Sequence, residues 1–122
     1  AFSYIGDCLK PLYEAGNNEK ASKQIINLGG TKFYTINEAN KILRKVISDG
    51  KKVHKEKRHE VKNAYPTWDR SEKLIGYRFN TDLEEGLTYM WNWAKEQPNK
   101  SRKFWESYEV EKDIYDFWKK EN

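Results

Sequence analysis

Few side chains in this sequence are spaced so that they can do chemistry by themselves. Cys8 follows Asp7 at the expected start of a helix, a position that favours reactive thiolates in other proteins. A lone cysteine on a helix is, however, usually a small core residue. His54 and His59 lie close together, but the residues around them lack the spacing of a metal site. We therefore expect neither a nucleophilic cysteine nor a metal, and no catalysis by this chain alone.

A basic stretch is the stronger chemical signal. Residues 41–62 carry nine Lys and Arg residues against three acidic ones, in a chain of net charge +4. Such a stretch attracts phosphates, nucleotides or nucleic acid. A solvated helix face followed by an edge strand protected by lysines gives the same pattern. We interpret most of the stretch as solvated surface and expect one or two of its members to bind a ligand.

The aromatic content argues for a folded domain. Leu, Ile, Val and Phe make up only about 20% of the 122 residues, and the mean hydropathy is -1.06. Five Trp, eight Tyr and five Phe compensate, since each ring buries a large apolar area. Exposed rings beside lysines also stack nucleic-acid bases. We favour core packing, because the following tryptophans lie among apolar residues of expected helices: Trp91, Trp93, Trp105 and Trp118.

Helix signals dominate the first 98 residues. Residues that can cap a helix precede apolar positions at helical spacing in four places. The expected helices run from Asp7 to about Ala15, from Thr35 to Gly50, from Asp69 to Ile75 and from Thr81 to Pro98.

Shorter apolar or alternating runs predict strands over residues 2–5, 24–28 and 52–57. The first of these also fits an extended lead-in to the first helix. We expect an α/β or α+β fold that is rich in helix, with one domain over residues 1–98. Residues 99–122 form an aromatic-rich tail, expected to be helical, that either docks on the core or covers another surface.

Several classes of protein are excluded. No run approaches the ~18 apolar residues that a membrane-spanning helix needs. No basic and then apolar leader opens the chain, and the single Cys8 excludes an internal disulfide. We therefore expect a cytoplasmic location. The first residue is Ala1 rather than Met, which suggests a processed product or an excised fragment.

Four blocks, taken in order, resemble the C-terminal part of the NAD-dependent nucleotide-sugar epimerases and dehydratases, a family of extended short-chain dehydrogenases. The first is Phe2-Ser3-Tyr4-Ile5-Gly6-Asp7, similar to the family's Phe-x-Tyr-Val/Ile-x-Asp. The second is Ile26-Asn27-Leu28-Gly29-Gly30 with Thr35-Ile36-Asn37-Glu38. The third is Arg58-His59-Glu60-Val61-Lys62, similar to Arg-Pro-Gly-Asp/Glu-Val. The fourth runs from Thr67 to Tyr77 and continues through Thr81 to Leu87, Trp93 and Pro98.

The resemblance implies a site for a nucleotide-diphosphate sugar. It places substrate-binding residues at Phe2, Arg58 and Glu60. An ungapped alignment puts Lys57 where the family has its binding arginine, and Arg58 where the family has proline. Arg58 is the better candidate for the diphosphate, because a guanidinium group matches that geometry better than an ammonium group does.

The resemblance also implies what this chain lacks. In the family, the NAD-binding glycine motif and the catalytic tyrosine and lysine precede the part that resembles this chain. We therefore expect the chain to bind no cofactor, NAD to act in the whole enzyme, and an N-terminal NAD-binding domain to be a partner. We also expect a homo-oligomer and no membrane association. The alternative is a basic binding module, for nucleic acid or a protein, that has kept the fold and lost the chemistry.

Overall fold

The computed structural model describes residues 1–48, 50–57, 60–99 and 112. Helices dominate these residues, as expected. We name four α-helices α1 (Ile5–Gly16), α2 (Ile36–Ile47), α3 (Asp69–Ile75) and α4 (Leu83–Glu96). A single turn of 3-10 helix, Glu19–Ala21, lies between α1 and α2. The largest contact between elements joins α2 to α4.

The expected strands are wrong, because none forms among the described residues. A strand exists only where its backbone pairs with another strand. Residues 24–28 have no such pairing: the Ile25 carbonyl oxygen accepts from the Arg70 guanidinium group at 3.1 Å, and Ile25 is 83% exposed. Residues 2–4 are an extended lead-in to α1. Residues 52–57 are exposed and belong to neither a helix nor a strand.

Local caps position the helices largely as the sequence predicts. The Thr35 hydroxyl accepts from the Glu38 N–H while a Glu38 carboxylate oxygen accepts from the Thr35 N–H, so the predicted capping box of α2 is confirmed. Asp82 caps α4 by accepting from the Glu85 N–H at 2.9 Å. Gly76 ends α3 in the left-handed conformation, with φ of 63°.

Two helix boundaries differ from the prediction. Asp7 was expected to cap α1, but the cap is Tyr4, and Asp7 lies inside the first turn. The Asp7 carboxylate instead accepts hydrogen bonds from a distant loop before α4. Helix α2 ends at Ile47 rather than at Gly50, because Ser48 adopts the left-handed conformation, with φ of 55°.

The core is small, and its buried residues come from α1, the Gly29-Gly30 stretch, α3 with the residues just after it, and the start of α4. Tyr77 is its large aromatic member, at 3% exposed. The buried described residues are Pro11, Gly29, Gly30, Ser71, Ile75, Tyr77, Thr81, Leu83 and Gly86.

The prediction that the tryptophans pack in the core is wrong for Trp91 and Trp93, the two that lie in α4. Trp91 is 37% exposed and Trp93 is 64% exposed. The reason is that α4 buries only its first turns, through Leu83 and Gly86, and is exposed from Thr88 onward. Trp105 and Trp118 lie outside the described residues, as does the expected tail helix.

Gly29 and Gly30 are the point where three segments meet. A side chain on Gly29 would overlap the ring of Pro66, and one on Gly30 would overlap the carbonyl oxygen of Phe2. The pair therefore lets the extended start of the chain and the segment before α3 approach the same short stretch of backbone.

Candidate functional site

Polar contacts between distant segments organise the region around the predicted site. The Asp7 carboxylate accepts from the Thr81 N–H at 2.9 Å, from the Thr81 hydroxyl at 3.0 Å and from the Asn80 N–H at 3.3 Å. The Ser3 hydroxyl accepts from the Gly30 N–H at 2.7 Å. The first block of the resemblance is thus bonded to both the second and the fourth.

Tyr77 is a buried part of the same junction, by which we mean the bonded residues Ser3, Asp7, Gly30, Tyr77 and Thr81. Its hydroxyl group donates to the Gly29 carbonyl oxygen at 3.4 Å. Burial raises the pKa of Tyr77 to about 12, and the neighbouring Cys8 and Asp7 raise it in the same direction. The phenol is therefore neutral at every physiological pH, and it serves as a buried hydrogen-bond donor rather than as an acid or base. Cys8, at the edge of this junction, is half-buried.

The structure places two of the three predicted substrate-binding residues, since Arg58 and His59 lie outside the described residues. Phe2 is 37% exposed, and its ring lies edge-on to Tyr34 with centroids 6.4 Å apart. Glu60 is exposed. The Ala1 ammonium group donates to the Ala64 carbonyl oxygen at 2.7 Å, which brings the residue before Phe2 to the segment that follows Glu60.

An open cleft of about 470 Å³ lies along the basic segment on both sides of residues 58 and 59. It is lined by Glu56, Lys57, Glu60, Val61 and Lys62. The two ammonium groups can attract phosphate oxygens, and the two carboxylates can accept from hydroxyl groups of a sugar or ribose. The lining thus offers both ammonium and carboxylate groups in a site that is exposed to water.

A second open cleft, of about 550 Å³, lies between the end of α1 and the 3-10 turn. Its lining includes Glu14 and Glu19 against Lys20. Asn18 also lines it, and the Asn18 amide donates to the Leu74 carbonyl oxygen of α3 at 3.0 Å. No residue predicted to bind substrate lies here.

The adjacent glycines Gly29 and Gly30 pack against Pro66 and the Phe2 carbonyl oxygen. Among the described residues, no group of three or more His, Cys, Asp or Glu side chains can hold a metal ion.

Sequence reasoning missed the role of Asp7. A capping residue was the local interpretation, whereas its partners are 73 and 74 positions away in the chain. A distant pair of donors for this carboxylate was present in the sequence, since Thr81 precedes a helix and carries both a hydroxyl group and a backbone N–H. Nothing in the spacing of the two residues indicates that they meet.

Comparison with known proteins supports one relationship. The chain is 34% identical over 107 aligned residues to the UDP-glucuronate 4-epimerase of Thermodesulfobacterium geofontis (strain OPF15). The match covers 78% of this chain but only 30% of the length of that protein. No protein-family model matches the chain, and no solved structure matches it. The match is of the kind expected for a piece of a nucleotide-sugar epimerase.

Within the described part of the chain, no helix is long and apolar enough to span a bilayer.

Proposed function

We propose that this chain is the substrate-side portion of an NAD-dependent nucleotide-sugar epimerase or dehydratase, and that it helps to bind a nucleotide-diphosphate sugar in the cytoplasm. The observation that carries the proposal is the 34% identity to a UDP-glucuronate 4-epimerase over 78% of the chain. The structure is consistent with it, because the junction of Ser3, Asp7, Gly30, Tyr77 and Thr81 joins three of the four blocks that resemble the family.

The chemistry of the cleft supports the choice of ligand. Lys57, Arg58 and Lys62 give this short segment a cluster of cations for the diphosphate, and Glu60 supplies an acceptor for a hydroxyl group. The bond between Ala1 and Ala64 ties the residue before Phe2 to the segment that follows Glu60. In the whole enzyme, NAD would take a hydride from the sugar and return it. This chain contributes residues that bind the substrate.

Titration with UDP tests the binding step directly. We expect Arg58→Ala to weaken UDP binding by about 1.5–3 kcal/mol, the usual worth of a charge-assisted hydrogen bond. Lys52→Ala is the matched control, because Lys52 is an exposed cation of the same segment that does not line the cleft. It should change the affinity much less. Calorimetry at fixed, low salt measures both, with NAD as a ligand that should not bind.

The alternative function has a different outcome in the same experiment. The lysines of residues 51–57 are exposed on a segment without helix or strand, which also suits diffuse attraction to nucleic acid. Equal losses from Arg58→Ala and Lys52→Ala, with no preference for UDP over other polyanions, would favour that alternative. The coding sequence upstream of Ala1 separates the two as well. The epimerase proposal requires a glycine-rich βαβ start and a Tyr-x-x-x-Lys motif there.

A further inference from the structure

We propose that residues 100–122, which follow α4 in the sequence, fold back onto α4 and cover the later half of its apolar stripe. The contact lies within this chain, and it is independent of the ligand proposed above. It accounts for the unequal burial of the two halves of α4.

The apolar stripe of α4 continues beyond the turns that the chain covers. Four apolar residues recur at helical spacing and so share one face: Leu83, Leu87, Met90 and Ala94. Leu83 is buried and Leu87 is half-buried. Met90, by contrast, is 59% exposed, and Ala94 is exposed as well. One face is therefore core in the first turns and bare in the last ones, which indicates a surface that another segment covers.

Two large rings on this helix already have partners. The Tyr89 ring lies 5.4 Å, centroid to centroid, from the ring of Tyr4. The Lys95 ammonium group lies 5.9 Å from the centre of the Trp91 ring. The bare surface is therefore the stripe from Met90 onward, together with the adjacent Trp93, which is 64% exposed.

The tail carries apolar side chains that need such a surface. Two sets at helical spacing flank Lys112, which is exposed: Phe104, Trp105 and Tyr108 precede it, and Ile114, Phe117 and Trp118 follow it. Each aromatic ring can bury roughly 150–250 Å². The tail therefore gains most by lying against an apolar face, and α4 offers one.

Continuity of the chain makes α4 the nearest such face. The helix ends at Glu96, and Pro98 cannot extend it. Consecutive elements that are joined by a short connection usually lie side by side. A segment that turns back at this point runs along the last turns of α4, where Met90 is bare.

Charge favours α4 over the exposed apolar face of α1. Residues 106–116 hold five carboxylates and one ammonium group. Helix α2, which packs on α4, exposes Lys41 and Arg44, so an acidic segment beside α4 would lie near cations. The one lysine of α1, Lys10, already pairs with Glu14 at 3.6 Å.

Hydrogen exchange of the full chain, measured by mass spectrometry, tests the contact from both sides. We expect the amides of residues 100–122 to exchange at least about tenfold more slowly than those of an unfolded chain. Met90→Asp should remove this protection, because it places a carboxylate within the apolar contact. Leu9→Asp is the matched control and should leave the tail protected, because Leu9 on α1 is 60% exposed and Met90 is 59% exposed.

A substitution in the tail gives the reciprocal measurement. Trp118→Asp should speed the exchange of residues 88–96 by about tenfold or more. Lys119→Asp introduces the same side chain at the neighbouring position, outside the apolar set, and should not. This pair keeps the proposal testable if Met90→Asp disturbs α4 itself.

Three results would overturn the proposal. The first is a tail whose amides exchange as in an unfolded chain, and the second is equal loss of protection from Met90→Asp and Leu9→Asp. The third is protection of residues 88–96 that disappears on dilution, which would make the occupant the tail of a second copy.

Discussion

Among the glycines, Gly30 is the one at which an added Cβ atom would lie nearest to another atom. A Cβ atom there would overlap the carbonyl oxygen of Phe2, which is backbone and cannot move aside like a flexible side chain. We expect Gly30→Ala to lower the free energy of unfolding by about 1–3 kcal/mol, the usual cost of forcing atoms into a packed site. Chemical denaturation measures this change.

Gly16 provides the control, since a Cβ atom there has no heavy atom within 4 Å. Gly16→Ala should change the free energy of unfolding by less than about 1 kcal/mol. Similar losses for the two variants would contradict the close approach of Phe2 to Gly30.

Tyr77 makes stability depend on alkaline pH. Its pKa is raised from 10.0 to about 12 in the folded chain, so the folded state holds the phenolic proton more tightly than the unfolded state. The contribution is therefore fully present below pH 10 and is lost as the pH rises toward about 12. A shift of this size corresponds to roughly 2–3 kcal/mol in total.

Replacing Tyr77 by phenylalanine tests this origin. We expect Tyr77→Phe to lose less stability between pH 8 and pH 11 than the unsubstituted chain, by about 1 kcal/mol in urea unfolding. Tyr13→Phe, at a side chain that is 76% exposed, should leave the pH dependence unchanged. If all three proteins lost the same amount of stability between pH 8 and pH 11, groups other than Tyr77 would be responsible for the loss.

At the scale of elements, the capping box of α2 is the clearest local device. Thr35→Ala removes the acceptor for the Glu38 N–H, and we expect a loss of about 0.5–2 kcal/mol in the free energy of unfolding. Thr88→Ala, within α4, should cost less, because the Thr88 hydroxyl only adds a bond to the Glu84 carbonyl oxygen.

The same substitution has a titration signature. Hydrogen bonds from the Thr35 backbone and side chain lower the pKa of Glu38 from its ordinary value of 4.5. The stabilisation is therefore present above pH 4.5 and is lost as the pH falls through the lower folded pKa. Thr35→Ala removes the hydroxyl group but keeps the backbone N–H, so the pKa of Glu38 measured by NMR should rise only part of the way toward its ordinary value.

How far the sequence predicts these elements depends on how local their interactions are. Thr35 and Glu38 are three positions apart, so their pattern alone predicts the start of α2. Asp7 also has the chemistry of a cap, but its carboxylate gains three bonds at the loop of Asn80 and Thr81 instead. A side chain with both a local and a distant use cannot be assigned from sequence spacing.

The strand predicted over residues 24–28 failed for a related reason. An apolar run indicates burial but does not supply the neighbouring strand that pairing requires, and Ile25 is exposed in this chain. The apolar residues of α4 led to a similar wrong prediction of burial, because Leu83 is buried whereas Trp93 of the same helix is exposed. Of the site, Glu60 lines the open cleft, and substrate binding by Phe2, Arg58 and Glu60 stays a prediction.

For the whole molecule, exposed apolar surface predicts association. Helix α1 exposes Ile5, Leu9, Leu12 and Tyr13. Elsewhere, Ile25 is 83% exposed and Ile36 is 77% exposed. We propose that the isolated chain self-associates at micromolar concentration, because a core this small leaves much apolar area in water. Sedimentation velocity should give a dimer or a larger species. A compact monomer, with the amides of Ile25 and Ile26 protected from hydrogen exchange, would contradict this expectation.

The bond between Asp7 and Thr81 also has a consequence for the order of folding. It closes a loop of 74 residues, and the bonds of Ala1 to Ala64 and of Tyr77 to Gly29 close loops of 63 and 48. Each closure costs chain entropy before any contact repays it, and such distant contacts slow folding. During synthesis, α1 emerges long before its partners exist. The Asp7 carboxylate therefore stays without its native partners until Thr81 has left the ribosome, and the first turns of α1 are a natural target for chaperones during that interval.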